Sequence, residues 1–175
     1  MRASAIASAI ERIRGRVARG TINLNTNGSL PKSLRRLIDA GLQAVRISLS
    51  SFRPDVYAAY YRPVGYTLDD VFESIRLACD AGLRVSLNLL THPGVTDDHP
   101  ELQAMETFLR DVRPALIQTR TLNIDPDVYF ACVGRPVEPL GMLHALDRIG
   151  RCGIEIGNVT RPVMQGSLAT PTGRS

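Results

Sequence analysis

The most reactive side chains in the sequence are its three cysteines, Cys79, Cys132 and Cys152. They lie 53 and 20 residues apart, so no two share the few-residue spacing by which one loop gathers metal ligands. Cys79 follows Ala78 on a helical pattern, where a thiol packs as a small hydrophobe. His92 and His99 are seven apart with no third ligand at metal spacing, and His144 sits beside Met142 and Leu143 on a helical stretch. Asp97, Asp98, Asp125 and Asp127 read as loop and cap acids. The single lysine, Lys32, opens a predicted helix rather than ending a strand, which disfavours Schiff-base chemistry. No Walker loop, G-x-S-x-G or GxGxxG occurs. These residues supply no catalytic constellation and no metal site, and they leave open whether the chain is an enzyme.

Polar groups gather instead on one face of successive predicted strands. Ile22 and Leu24 alternate with Asn23 and Asn25; Val45, Ile47 and Leu49 alternate with Arg46, Ser48 and Ser50. Val85, Leu87 and Leu89 alternate with Ser86 and Asn88, and Ile117 and Thr119 with Gln118 and Arg120. Asn, Ser and Arg enclosed together need partners, so this shared face predicts a ligand rather than a packed core. The loops that follow add Thr26-Asn27-Gly28, Ser50-Ser51, Thr91-His92 and Asn123. Parallel β/α folds bind ligands at that end of their strands.

The elements that position these faces alternate along the chain. Helices are predicted near 3–18, 30–40, 54–60, 68–80, 100–112 and 138–150, and strands near 21–25, 44–49, 84–90, 115–121 and 154–157. Pro31, Pro54 and Pro100 suit a first helical turn, and Thr67 caps a helix whose first turn carries Asp69 and Asp70. Asp39-Ala40-Gly41-Leu42 and Asp80-Ala81-Gly82-Leu83 each lead into a β-branched run, and Cys152-Gly153-Ile154 leads into a shorter one. Strands covered on both faces read as continuous apolar runs, and these do not. The fold class is therefore α/β, a partial (β/α) TIM-like barrel of parallel strands alternating with helices.

A length of 175 residues, 44% hydrophobic and 22% charged, fits one folded domain and excludes disorder for most of the chain. No run reaches the roughly 18 uncharged apolar residues of a membrane span, and none resembles a secretory h-region. Three scattered cysteines fit a reducing compartment, so a cytoplasmic location is expected. The net charge is +4, with the excess in residues 1–36. There Ile6, Ile10, Ile13 and Val17 recur at helical spacing among arginines, which predicts an amphipathic helix with a solvated basic face. Without interleaved aromatics, no nucleic-acid partner is expected, and no membrane partner either.

The order of these segments resembles a known family. Thr26-Asn27-Gly28, then Ile47-Ser48-Leu49-Ser50-Ser51 with Tyr57 and Tyr61-Arg62-Pro63, then Ala81-Gly82-Leu83 into Val85-Ser86-Leu87-Asn88 and Pro93-Gly94-Val95-Thr96-Asp97, are similar to the later half of a radical S-adenosylmethionine (SAM) enzyme core. The resemblance covers about residues 1–130 and implies the third to sixth strands of a (β/α)6 barrel. Full-length members reductively cleave SAM at a [4Fe–4S] cluster to generate a 5′-deoxyadenosyl radical. The resemblance places Ser48 and Ser50 at the SAM ribose, Arg62 within reach of the SAM carboxylate, and Asn88 near the ribose or the adenine. It places Thr26 and Asn27 at the mouth of the third strand and Asn123 in a segment making backbone contacts to adenine. On residue chemistry alone, Arg62 could pair with Asp55 or Asp69, and Asn27-Gly28 could serve as a turn.

The family's CxxxCxxC loop and the glycine-rich segment that holds the SAM amino group are absent from the sequence. A truncated radical SAM-like domain is expected over 1–157, with a disordered tail over 158–175. The isolated chain is expected to be catalytically inactive, with SAM binding weak or lost. The alternatives are a non-catalytic SAM- or nucleotide-binding module, or the C-terminal half of a split enzyme. The strand at 21–25 has neither Pro nor charge to protect its edge. Self-association through that edge, or pairing with a separately encoded N-terminal half, is expected.

Overall fold

The computed structural model describes residues 3–135 and 138–157, so the tail assigned to 158–175 falls outside the described residues. One parallel sheet carries β1 (Asn23–Thr26), β2 (Ala44–Leu49), β3 (Arg84–Thr91), β4 (Leu116–Thr121) and β5 (Glu155–Ile156) in sequential order. Helix α1 (Ala3–Arg14) precedes β1, and α2 (Pro31–Asp39) links β1 to β2. Helices α3 (Pro54–Tyr61) and α4 (Leu68–Asp80) link β2 to β3, and α5 (His99–Val112) links β3 to β4. Helices α6 (Pro126–Val133) and α7 (Met142–Arg151) lie between β4 and β5. This is the α/β, partial β/α barrel arrangement that the alternating pattern requires.

The pairing register turns sequence alternation into two chemically distinct faces. Ile47, Leu87 and Ile117 pair across β2, β3 and β4, and Val45 pairs with Val85. These residues are buried together with Leu68, Val71, Ile75 and Ala78 of α4 and Leu102, Met105 and Leu109 of α5. Burying each large aliphatic side chain contributes roughly 1.5–3 kcal/mol. The opposite face carries Arg46 and Ser86 in one row and Ser48, Asn88 and Gln118 in the next. Cys79 packs half-buried against the helix-side core, as its helical spacing predicts.

Several local signals operate as read. Pro31, Pro54 and Pro100 stand in the first turns of α2, α3 and α5. Before α4 the Thr67 N–H donates to Asp70 Oδ2 at 2.8 Å. Gly82, at the α4–β3 junction, takes a φ of 73°, which favours glycine.

Other elements differ from expectation. The first helix stops at Arg14 rather than running to 18, because the Arg16 N–H turns back to the Ile13 carbonyl at 3.1 Å. Ile13 and Val17 are consequently 46% and 50% exposed, so the apolar stripe is buried only through Ile10. The basic face is not wholly solvated either. Arg14 donates to the Gly20 carbonyl at 2.9 Å and to Gln43 Oε1, tying α1 to the turn before β2. The strand expected at 21–25 begins at Asn23 and ends at Thr26. The helix expected at 138–150 begins only at Met142. Helix α6 was absent from the sequence reading. Pro126 in its first turn and Asp125, whose carboxylate accepts the Asp127 N–H at 2.8 Å, were its available start signals.

Gly28 closes β1 against this core. Its carbonyl accepts a hydrogen bond from Ser74 Oγ of α4 at 2.6 Å, and its φ is 72°. A Cβ there would lie 3.1 Å from Ile47 Cγ2 and 3.3 Å from Val71 Cγ1. Gly28→Ala should therefore lower stability by about 1–3 kcal/mol, read as a reduced urea midpoint with an unchanged m-value.

Candidate functional site

The carboxyl ends of β2, β3 and β4 form an open groove of about 410 Å³. Ser48 and Leu49 come from β2, Asn88 and Leu90 from β3, Arg120 and Thr121 from β4, and Asn123 from the loop beyond β4. Tyr60 and Tyr61 enter from the last turn of α3. Alternation places Ser48 and Asn88 here, because Leu49 and Leu89 occupy the helix-side row. Arg120 Nε donates to Asn88 Oδ1 at 2.9 Å. That bond orients the Asn88 carboxamide and leaves its NH2 group for another acceptor. Tyr60 and Tyr61 meet edge to face with ring centroids 5.0 Å apart, and Tyr61 also contacts Tyr57 at 4.9 Å. Burial, reinforced by Tyr60 and Tyr66, pushes the Tyr61 hydroxyl up to about 12. It therefore stays protonated near neutrality and can donate a hydrogen bond but not act as a base.

The candidate residues do not all converge on this groove. Ser48, Asn88 and Asn123 line it. Ser50, two residues beyond Ser48, is 3% exposed, and its buried Oγ has no hydrogen-bond partner among the described residues. Arg62 follows α3 in the left-handed region with φ 47°. Its guanidinium is exposed and donates to Cys132 Sγ at 3.8 Å rather than pairing with Asp55 or Asp69. Asp55 instead pairs with Arg53 at 2.6 Å.

Thr26 and Asn27 line a different pocket of about 240 Å³, shared with Ile6 of α1 and Leu34 and Leu37 of α2. Thr26 pairs with Ile47 and so belongs to the helix-side row, a parity already set by Ile22 and Leu24. Thr26 Oγ1 accepts the Gly28 N–H at 3.2 Å, and Asn27 Oδ1 accepts the Ser29 N–H at 3.2 Å. Both side chains thus make the turn that Asn27-Gly28 suggested.

The described residues fit a nucleoside better than a metal cluster. The groove offers hydroxyl and carboxamide groups, two tyrosine rings and a nearby orphaned serine hydroxyl, which suit a sugar and a base. Among the described residues no group of three or more His, Cys, Asp or Glu could hold a metal ion. The cysteines sit on α4, on α6 and at the end of α7. Burial, aided by the charge of Asp80, pushes the Cys79 thiol up to about 11, so the free thiol stays protonated near neutrality. A [4Fe–4S] cluster therefore does not fit these residues.

The family model described as the Radical SAM superfamily matches residues 3–104, more than half the chain. The chain belongs to that superfamily. It is 35% identical over 111 residues to a "Probable GTP 3′,8-cyclase" of Methanosarcina acetivorans, covering 61% of this chain and 33% of that protein. It is also 35% identical over 111 residues to a "GTP 3′,8-cyclase" of Pelotomaculum thermopropionicum, covering 62% and 34%. The chain thus spans about a third of the length of these relatives. A radical SAM methyltransferase from Sphaerobacter thermophilus superposes with a TM-score of 0.57 at 20% identity, over 79% of this chain and 40% of that one, and shares the fold.

Sequence reasoning missed Tyr60 and, more consequentially, Glu101. Glu101 lies in the first turn of α5 but is 2% exposed. Its Oε2 accepts from Ser51 Oγ at 2.5 Å and its Oε1 from the Phe52 N–H at 2.7 Å. A glutamate just after a helix-opening proline reads as a surface acid, and no local signal announces a partner 50 residues away. Burial raises its carboxyl to about 7 against the opposing effect of these hydrogen bonds and of Arg53. A raised folded value means stability present in full below the unfolded value of 4.5 and lost as pH rises through 7. Unfolding free energy should therefore fall by on the order of 3 kcal/mol between pH 4.5 and 8.5, all else equal. Glu101→Gln, which cannot ionise, should remove most of that slope in urea titrations across this range.

Proposed function

We propose that this radical SAM superfamily chain supplies the nucleoside-binding side of a SAM site, across the carboxyl ends of β2, β3 and β4. The observation that carries the reading is the row of Ser48, Asn88 and Gln118, capped by the Asn88–Arg120 hydrogen bond, where the strands end. Bound SAM supplies the family's 5′-deoxyadenosyl group. Ser48 holds the ribose, and Asn88 presents its NH2 to the ribose or the adenine. Tyr60 and Tyr61 cover the nucleoside from α3. Asn123 brings the backbone of the loop after β4 to the adenine edge. The similarity to GTP 3′,8-cyclases supports descent from that branch of the superfamily. On the same reading the chain by itself carries out no reductive cleavage of SAM, a reading supported by the wide separation of its cysteines along the sequence.

Calorimetry with SAM tests the binding, and a weak isotherm near the millimolar range is expected. Asn88→Ala, which removes one hydrogen-bonding group and the Arg120 anchor, should weaken binding about tenfold. A folded chain by circular dichroism that releases no heat at millimolar SAM overturns the reading. Anaerobic reconstitution with iron and sulfide should yield neither the roughly 400 nm band of a [4Fe–4S] cluster nor deoxyadenosine. A stoichiometric band with turnover overturns the inactive assignment.

The site is completed by a partner along β1. This strand pairs only with β2 among the described residues, so one row of its backbone groups has no strand opposite. Neither a proline nor a charged side chain lies within Asn23–Thr26 to blunt it. The partner is a separately supplied N-terminal half or a second copy of the chain. Light scattering across a dilution series should show mass above 19 kDa that falls on dilution, or a stable complex once the N-terminal half is added. A compact monomer throughout that ignores the added half, with slow exchange at residues 23–26, would falsify the proposal.

A further inference from the structure

A buried carboxylate is costly unless its hydrogen bonds are well made, and a hydrophobic residue of similar volume often serves stability as well. Glu101 therefore invites an explanation beyond packing. Its two oxygens engage consecutive residues, Ser51 and Phe52, of the loop that leaves β2. Ser51 Oγ also accepts the Arg53 N–H at 2.9 Å. The Arg53 guanidinium then reaches Asp98, the residue capping α5, at 3.1 Å and Asp55 of α3 at 2.6 Å. Burial, aided by the charge of the Glu101 carboxyl, raises the hydroxyl of Tyr129 on α6. Upstream of this loop stand Ser48 and Ser50; downstream stands α3, which ends in Tyr60 and Tyr61. Helix α5 itself contributes nothing to the groove.

We infer that Glu101 is a positioning residue for the groove, fixing from α5 the loop that sets Ser48 on one side of the ligand and the Tyr60–Tyr61 pair on the other. The inference rests on the reading of the groove as the SAM site. Glu101→Gln keeps an acceptor for the Phe52 N–H and a partner for Ser51, whereas Glu101→Leu keeps the volume and loses both bonds.

The test measures hydrogen exchange over residues 50–61 without ligand, and SAM affinity by calorimetry, on the full chain and its variants. Glu101→Leu should speed exchange over 50–61 by about tenfold while residues 68–80 stay protected, and should weaken SAM binding about tenfold. Glu101→Gln should restore both to within about twofold. Ser51→Ala removes only one of the bonds and should fall between them, which keeps the test open if the leucine variant does not fold. Unchanged exchange over 50–61 in the leucine or alanine variant overturns the inference. So does exchange that rises equally across all elements, or a glutamine variant that binds as poorly as the leucine variant. If the wild-type chain takes no SAM, the groove reading falls, and exchange over 50–61 alone decides whether Glu101 holds the loop.

Discussion

The whole arrangement depends on the in-register parallel pairing of β2, β3 and β4. That pairing puts Ile47, Leu87 and Ile117 in one row and Ser48, Asn88 and Gln118 in the adjacent one. A slip of one residue in any strand would send its apolar set onto the polar face and its polar set beneath α4 and α5. Each polar group buried without a partner would cost about 1–3 kcal/mol, and each aliphatic group brought to water about as much again. The helix-side core therefore enforces the register, and the groove is its geometric consequence. The polar face needs no packing energy of its own, which is how it can remain open and polar.

What the register cannot set is the course of the chain once the strands end, and there long-range polar attachments take over. Arg14 and Gln43 fix the approach to β2 from α1, and Ser74 holds the Gly28 carbonyl at the exit of β1. Glu101 and Ser51 fix the exit of β2, and Asp97, buried, takes the Gly141 N–H at 3.0 Å to join the loop before α5 to the start of α7. Exposed pairs such as Arg76–Asp111 and Arg135–Asp127 add little by comparison, since solvent screens both charges. The buried attachments cluster at strand ends because backbone that leaves a sheet must find new partners for its N–H and carbonyl groups.

Sequence legibility divides along the same line. Period-two alternation exposed the two faces, and prolines and cap residues marked most helix starts, because both signals arise from neighbours in the chain. Thr26, expected at the strand mouth, shares the parity of Ile22 and Leu24, and that parity assigns it to the helix-side row instead. Arg62 was not legible, since its direction follows from the left-handed turn that ends α3, a conformation arginine does not advertise. Glu101 was least legible of all. Its partners lie 50 residues away, and its local context is that of a solvated acid favouring a helix dipole. The register that places a site is thus a local signal, while the contacts that tune it are tertiary.

The match to the superfamily ends at residue 104, yet the polar face continues beyond it. Gln118, with no measurable exposure, pairs beside Asn88 from β4, and Arg120, two residues on, holds the Asn88 carboxamide. These β4 residues support the ligand reading independently of the matched segment. A sheet face closed by packing would favour apolar side chains at these positions, because every buried hydroxyl or amide must then be satisfied internally. The buried Ser50 hydroxyl is one place where internal satisfaction fails among the described residues, at a cost of about 1–3 kcal/mol. The cysteines show no comparable convergence, and the thiol of Cys79 is held protonated by the core that surrounds it. The polar face is written into the strands by alternation, whereas cluster ligation needs a tight cluster of thiolates that the described residues do not form.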